Sequence, residues 1–213
     1  MDEMLDHCIT GQLPTSIIVT YVVWELTQNP EWTDRLHHEL SKLSVENKLG
    51  GNSLSPPAVG KLPILNAVVM ETHRVYSSNP GPWPRINLTR GPQLGERYYI
   101  PAGTTVGASS YALHRNEKIF PQPNHWHPRR WLDADARQLS DMNRWFWAFG
   151  SGPCKCLGSH FAVIVIKSVI KVIYTDFKAE IVDDSGIAQV DAPIASLSGD
   201  KLLVKFVPAE KRG

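Results

Sequence analysis

Ten consecutive residues, Phe149-Gly150-Ser151-Gly152-Pro153-Cys154-Lys155-Cys156-Leu157-Gly158, hold the chemistry of this chain. They place Cys156 on a glycine-braced loop that runs straight into an apolar stretch at about 157–174, which reads as a helix. A thiolate that must approach a metal held in a flat macrocycle needs small, sharply turned backbone beside it. Gly150, Gly152 and Pro153 before the sulfur and Gly158 after it supply that. The following helix would bring its free N–H groups and positive dipole end to the cysteine. Other readings of the same residues stay open. A thiol can pack as a small apolar group, and Cys154, Cys156 and His160 could gather zinc, although Cys-x-Cys is tighter than structural zinc spacing. A phosphate cradle would want a Lys-Ser/Thr after the glycines and a strand before them, and neither is present. His125 and His127, on either side of Trp126, form a second conceivable metal pair.

Two further passages bear on the loop. Glu71 and Arg74 stand three apart inside the apolar run 62–75, so carboxylate and guanidinium share one helix face. Downstream, 128–132 reads Pro-Arg-Arg-Trp-Leu, and between the two lie Tyr-Tyr-Ile-Pro-Ala-Gly-Thr at 98–104 and Ser-Tyr-Ala-Leu-His-Arg at 110–115. With the pattern Phe-x-x-Gly-x-x-x-Cys-x-Gly, their order and separation resemble the cytochrome P450 family, filamentous-fungal members of specialised metabolism in particular. The resemblance covers essentially the whole chain but only the family's carboxy-terminal half, from inside its central helix onward. It implies an α+β, mostly α fold with small β-sheets, and a partial haem-binding domain over 1–213. It also implies that Cys156 is the axial ligand of the iron in haem b (iron protoporphyrin IX). Phe149, Gly152, Gly158 and the propionate-binding Arg85 complete the cofactor set. Glu71, Arg74 and Arg130 would form a structural brace behind the loop, with Arg129 where the family usually has glutamate. Cys154 stands where the family has Arg or His for the other propionate, which leaves one anionic group without its cation.

The same resemblance implies monooxygenation of a lipophilic small molecule, with electrons from NADPH through NADPH-cytochrome P450 reductase. The family's proton relay, Gly-x-Asp/Glu-Thr, aligns with Gly11-Gln12-Leu13-Pro14, so leucine replaces the acid and proline the alcohol. Leucine moves no proton, and a mid-helix proline costs about 3 kcal/mol. Thr15, one position on, is the remaining candidate for the hydroxyl, and Gln12 could order a water. The expectation is therefore an incomplete, catalytically inactive member. Two alternatives stand beside it: a non-oxidative haem-binding catalyst on the same scaffold, and an interaction module that pairs with a separate amino-terminal half. The last would leave apolar faces such as 17–24 exposed.

Composition narrows the rest. The 213 residues are 42% hydrophobic with a formal net charge of +1, enough for a sizeable core and without the basic stripe of a nucleic-acid binder. Three cysteines, Cys8, Cys154 and Cys156, form no disulfide framework, which suits a reduced, cytoplasmic setting. Family members are usually anchored at the endoplasmic reticulum. The acidic start is no signal peptide, and the longest apolar run, 16–26, is too short to span a bilayer, so no anchor is expected in this chain.

The elements follow from periodicity and breakers. One helix is predicted over 4–28, apolar on most sides from Ile17 to Leu26 and hence buried. A second, over about 30–47, is started by Asn29 as N-cap and Pro30, with Trp32, Leu36, Leu40 and Leu43 on one face. A loop at 50–57 precedes the Glu71 helix. Proline-rich 79–84 ends that helix, short strands fill 85–106, and 116–148 reads as an irregular meander. The cysteine loop and its helix follow, and alternation at 177–181 and 202–207 suggests terminal strands.

Overall fold

The computed structural model describes residues 2–47, 60–87, 93–94, 97–190, 192, 194–199 and 201–209, with the side chains of 2–9, 43–47 and 93–94 outside that description. The loop expected at 50–57 and the side chain of Cys8 therefore lie outside the described residues. Four helices carry the molecule: α1 (Asp2–Gln28), α2 (Pro30–Asn47), α3 (Pro63–Val75) and α7 (Ser159–Asp176). Between α3 and α7 run β1 (Pro82–Ile86), β2 (Gln93–Leu94), β3 (Tyr98–Tyr99), β4 (Thr105–Ser109), α4 (Ser110–His114), α5 (Arg129–Asp133) and α6 (Ala136–Trp145). Strands β5 (Phe177–Asp183) and β6 (Leu203–Pro208) close the chain. The strands pair antiparallel as β1–β4, β2–β3 and β5–β6. The fold is α+β and mostly α.

The four helices meet on one apolar core. Ile18, Val22 and Leu26 of α1 pack with Trp32, Leu36 and Leu40 of α2, Leu65, Val68 and Val69 of α3, and Ile166, Ile170 and Tyr174 of α7. Spacings of three and four put each set on one helix face, and truncating a fully buried member such as Leu36 to alanine costs about 2–5 kcal/mol. Ile17, Tyr21, Val22 and Val23 are all buried, so the exposed apolar face over 17–24 that an interaction module would show is not present. The carboxy-terminal segment helps to cover it: the Tyr21 hydroxyl donates to the Ile187 carbonyl at 2.9 Å and Trp24 Nε1 to Asp184 Oδ2 at 3.0 Å.

Local chemistry fixes the joints. At the α1–α2 corner the Asn29 carbonyl accepts from Trp32 N–H, but the side-chain amide turns back and donates to the Glu25 carbonyl and carboxylate at 2.8 and 3.0 Å. Asn29 thus stands directly before α2, its carbonyl taking the first N–H groups of that helix, while its side-chain amide nitrogen fastens the end of α1. Helix α3 begins at Leu62, which has no side-chain acceptor, and Glu39 of α2 supplies one: its two oxygens accept from Ile64 and Leu65 N–H at 2.7 and 2.9 Å.

Three stretches differ from the sequence reading. Strand β1 starts at Pro82, not at 85, because a strand with a single neighbour tolerates proline. Residues 110–114 coil into a helical turn, with the Ser109 hydroxyl accepting from Ala112 N–H. The stretch 116–148 contains α5 and α6, and α6 starts on a capping box in which Asp135 and Gln138 bond each other's backbone N–H. Only Met142 of α6 is fully buried, and Leu139 and Trp145 stand three positions to either side of it on a helix that is otherwise polar. Among the described residues no helix is long and apolar enough to cross a membrane.

Candidate functional site

The site is built from the inside outward, starting at a carboxylate with no solvent contact. Glu71 Oε1 accepts from Arg74 Nη2 (2.8 Å), Arg130 Nε (3.0 Å) and the His127 backbone N–H (2.9 Å); Oε2 accepts from Arg74 Nε and Trp131 Nε1, both at 2.9 Å. Arg74, equally buried, sends its remaining donors to the carbonyls of His114 (2.9 Å), Pro123 (2.6 Å) and His125 (3.0 Å). A buried ion pair is stable only when its spare lone pairs and protons are also satisfied, and here the carboxylate has five donors. Glu71, Arg74 and Arg130 are thus brought together around a polar core, whereas Arg129 points outward to Glu31 and Asp133 at 3.7 and 3.9 Å. Burial pulls the Arg130 guanidinium down and the Glu71 charge beside it pushes back up.

The backbone of 121–127 serves this core. Gln122 sits at φ 51°, a left-handed conformation that costs a non-glycine residue about 1 kcal/mol, and its neighbours Pro121 and Pro123 point carbonyls at Arg130 Nη1 and Arg74 Nη1. His125 and His127 contribute main-chain atoms to the brace, and Trp126 Nε1 donates to Thr72 Oγ1 at 3.0 Å. Among the described residues no three His, Cys, Asp or Glu side chains are grouped to hold a metal ion.

One imidazole carries the brace to the cysteine loop. His114 Nε2 accepts the Trp147 backbone N–H at 2.9 Å, so its proton is on Nδ1, which donates to the Arg74 carbonyl at 3.0 Å. Trp147 O then accepts Gly150 N–H at 3.0 Å, and Phe149 O accepts Cys156 N–H at 2.9 Å. The ring stacks on Phe146, 5.3 Å between centroids. Burial pushes His114 down to about 3 and His73, packed 4.9 Å from the Phe149 ring, down to about 4. Both are neutral at pH 7. The sequence reading gave no role to His114 or Trp131. A polar residue at a position buried among Phe120, Phe146 and Arg74 is a signal that only the fold makes visible.

The loop itself is open. Gly150 and Gly152 both have φ 71°, a conformation L side chains rarely adopt. A short 3₁₀ turn, Gly152–Cys154, leads to Cys156, and α7 begins at Ser159 with Gly158 as N-cap. Cys156 is exposed, and so are two apolar side chains that follow it: Leu157 is 99% and Phe161 73% accessible. Apolar surface of this size next to a free thiol is costly in water and fits a flat apolar group with an iron for the sulfur. The residues present therefore suit a haem: Cys156 as ligand, Leu157 and Phe161 as apolar floor. The propionate side is less complete. Arg85 is exposed and donates to the carbonyl of its neighbour Pro84 at 2.8 Å, and Cys154 is an exposed thiol.

In α1, the Thr15 hydroxyl donates to the Gly11 carbonyl at 2.7 Å and the Ser16 hydroxyl to the Leu13 carbonyl at 2.9 Å, with Pro14 inside the helix. The proton of Thr15 is thus committed to backbone, and Leu13 is 40% exposed with nothing to donate.

The class these features define is a helical protein in which a brace of one carboxylate and two guanidiniums holds a glycine loop with exposed cysteines. The family profile for Cytochrome P450 matches residues 1–205, and the chain belongs to that family. It is 34% identical to Cytochrome P450 monooxygenase FGM1 of Gibberella zeae over 81% of this chain and 33% of that protein. It is 35% identical to Cytochrome P450 monooxygenase avaI of Aspergillus versicolor over 76% of this chain and 41% of the relative. With Cytochrome P450 monooxygenase ankB of Aspergillus thermomutatus it shares 29% identity over 91% of this chain and 36% of the relative. The chain spans well under half the length of the relatives it matches.

Proposed function

We propose that this chain, 1–213 as part of one haem-binding domain, supplies the thiolate side of a haem b monooxygenase site, with Cys156 as the axial ligand. The observation that carries this reading is an exposed Cys156 beside an exposed apolar Leu157 and Phe161, on a loop fixed from behind by the Glu71–Arg74–His114 connection. When bound, a thiolate-ligated haem supplies reductive activation of dioxygen for oxygen insertion into an organic substrate. The chain's own residues do the rest. Cys156 N–H, held by Phe149 O, fixes the direction of the sulfur, while Gly150 and Gly152 keep side chains off that approach. Leu157 and Phe161 would exclude water from the apolar group once it is bound, and Arg85 would be available to a propionate.

At the positions aligned with the family's relay, Leu13 and Pro14 carry no proton donor and the Thr15 hydroxyl donates to the Gly11 carbonyl. We therefore infer that the chain by itself binds haem without NADPH-dependent oxidation. A lipophilic substrate and NADPH-cytochrome P450 reductase are the partners the family chemistry calls for. Arg144 and Lys155 line a cavity of about 430 Å3 beside the loop, and in this reading they are candidates for contact with an acidic surface of the reductase. Haem titration of the wild type and Cys156→Ser tests the reading. Stoichiometric uptake lost in the variant supports it, and equal uptake by both overturns it.

A further inference from the structure

Cys156 has a chemical neighbour that the haem reading does not use. Cys154 and Cys156 are both free and both exposed, separated only by Lys155. Cys154 ends the 3₁₀ turn and Lys155 is extended at φ −60°, ψ 145°. The distance between the Cα atoms flanking a residue is set by that residue's φ and ψ alone. A polyproline-like residue advances the chain by about 3.1 Å per step, so the two cysteine Cα atoms lie about 6 Å apart. Bridged cysteines have Cα separations of about 4.4–6.8 Å, so the backbone spacing of the pair falls in disulfide range, and side-chain and local loop rotation would close the bond.

From this geometry we infer that Cys154 and Cys156 form a reversible disulfide that withdraws the Cys156 sulfur from haem. The inference rests on Cys156 being the haem ligand. The oxidant is a peroxide: one thiol takes an oxygen from it to become a sulfenic acid, with release of water. The second sulfur then attacks the sulfenic sulfur, the S–S bond forms, and a second water leaves with the remaining thiol hydrogen. Both sulfurs are oxidised by one electron each, and the peroxide oxygens are reduced to water. Accessible thiols with a resolving cysteine alongside are the ones that follow this path, and an exposed disulfide is readily reduced again. A bound haem takes up the sulfur and covers it, so the disulfide forms before haem loading and gates it. Cys154 thereby has a role where the family expectation placed a propionate cation: it diverts Cys156 into a recoverable oxidation state instead of a sulfinic acid, which thiols do not reverse.

The chain carries its own analytical handle, because trypsin cuts after Lys155, between the two cysteines. The haem-free wild type treated with hydrogen peroxide and digested without reductant should yield peptides 145–155 and 156–167 joined together, separating on addition of dithiothreitol. Haem uptake should be lost on peroxide treatment and return on reduction. In Cys154→Ser the peptides stay separate, and the uptake lost to peroxide does not return. Unjoined peptides in the oxidised wild type, or joined peptides with undiminished haem uptake, would overturn the inference. An untreated chain that takes up no haem would sink the haem assignment instead, whatever the peptides show.

Discussion

His114 holds the Trp147 backbone N–H on its Nε2 at 2.9 Å and, through Nδ1, the carbonyl of Arg74 at 3.0 Å. A neutral imidazole in one fixed tautomer thus joins the brace to the segment that carries the cysteine loop. His114→Ala strands both backbone groups in a buried setting, at about 1–3 kcal/mol each. The expected outcome is a clear fall in Tm with weakened haem uptake. His114→Asn, which can still serve one of the two groups, should fall between the variant and the wild type. Thermal melts and haem titrations of the three proteins check this.

Glu71 accepts five hydrogen bonds with no solvent contact. Glu71→Gln leaves the guanidinium of Arg74 buried without its counter-charge, and breaking such a pair costs about 3–5 kcal/mol. For a domain of ordinary stability the expected result is a chain that is unfolded or insoluble. Arg130→Lys should be milder, since Arg130 gives Glu71 a single Nε bond and its Nη1 bond to Pro121 lies at the surface. Urea unfolding distinguishes the two, with the larger shift in midpoint expected for Glu71→Gln.

Stability should depend on pH through two opposing sets of groups. Burial raises the Glu25 carboxyl to about 7, although the Tyr76 hydroxyl, at 2.6 Å, and Asn29 donate to it. The folded state therefore holds this proton more tightly than the unfolded chain. The contribution is complete below the ordinary value of 4.5 and is lost as pH rises towards 7. His73 and His114 run the other way: their folded values of about 4 and 3 lie below the ordinary 6.5, so stability is complete above 6.5 and is lost as pH falls through that range. Glu25→Gln should gain on the wild type above pH 7 and lose that advantage towards pH 4.5, while its loss of stability in acid remains. Unfolding free energies across a pH series test both signs.

Pro14 lies within a helix that continues on either side of it. Pro14→Ala restores a backbone donor and relieves the ring, a gain of up to about 3 kcal/mol. The variant should melt at a higher temperature and bind haem as the wild type does. A calorimetric scan and a haem titration read both.

How much of this was legible in the chain follows from sequence distance. Glu71 and Arg74 declare themselves because a helix brings positions three apart onto one face, and the glycines around Cys156 because their φ of 71° has few other occupants. The core helices and terminal strands are written in periodicity. What stayed hidden depends on contacts between distant residues: Trp131 with Glu71 across 60 positions, His114 with Trp147 across 33, Glu39 with the start of α3 across 25. Helix α6 hid for a different reason. Its apolar residues Leu139, Met142 and Trp145 recur every three positions and Asp135 with Gln138 forms a capping pair, but the strongly polar residues between them and the Pro- and Trp-rich surroundings mask both signs.

The central claim is that the Cys156 sulfur binds haem iron. The most direct measurement is the absorption spectrum of the haem-loaded chain, reduced and exposed to carbon monoxide, beside that of Cys156→Ser. The account predicts a thiolate-type carbonyl Soret band in the wild type and none in the variant. A histidine-type band, or the same spectrum from both proteins, would contradict it.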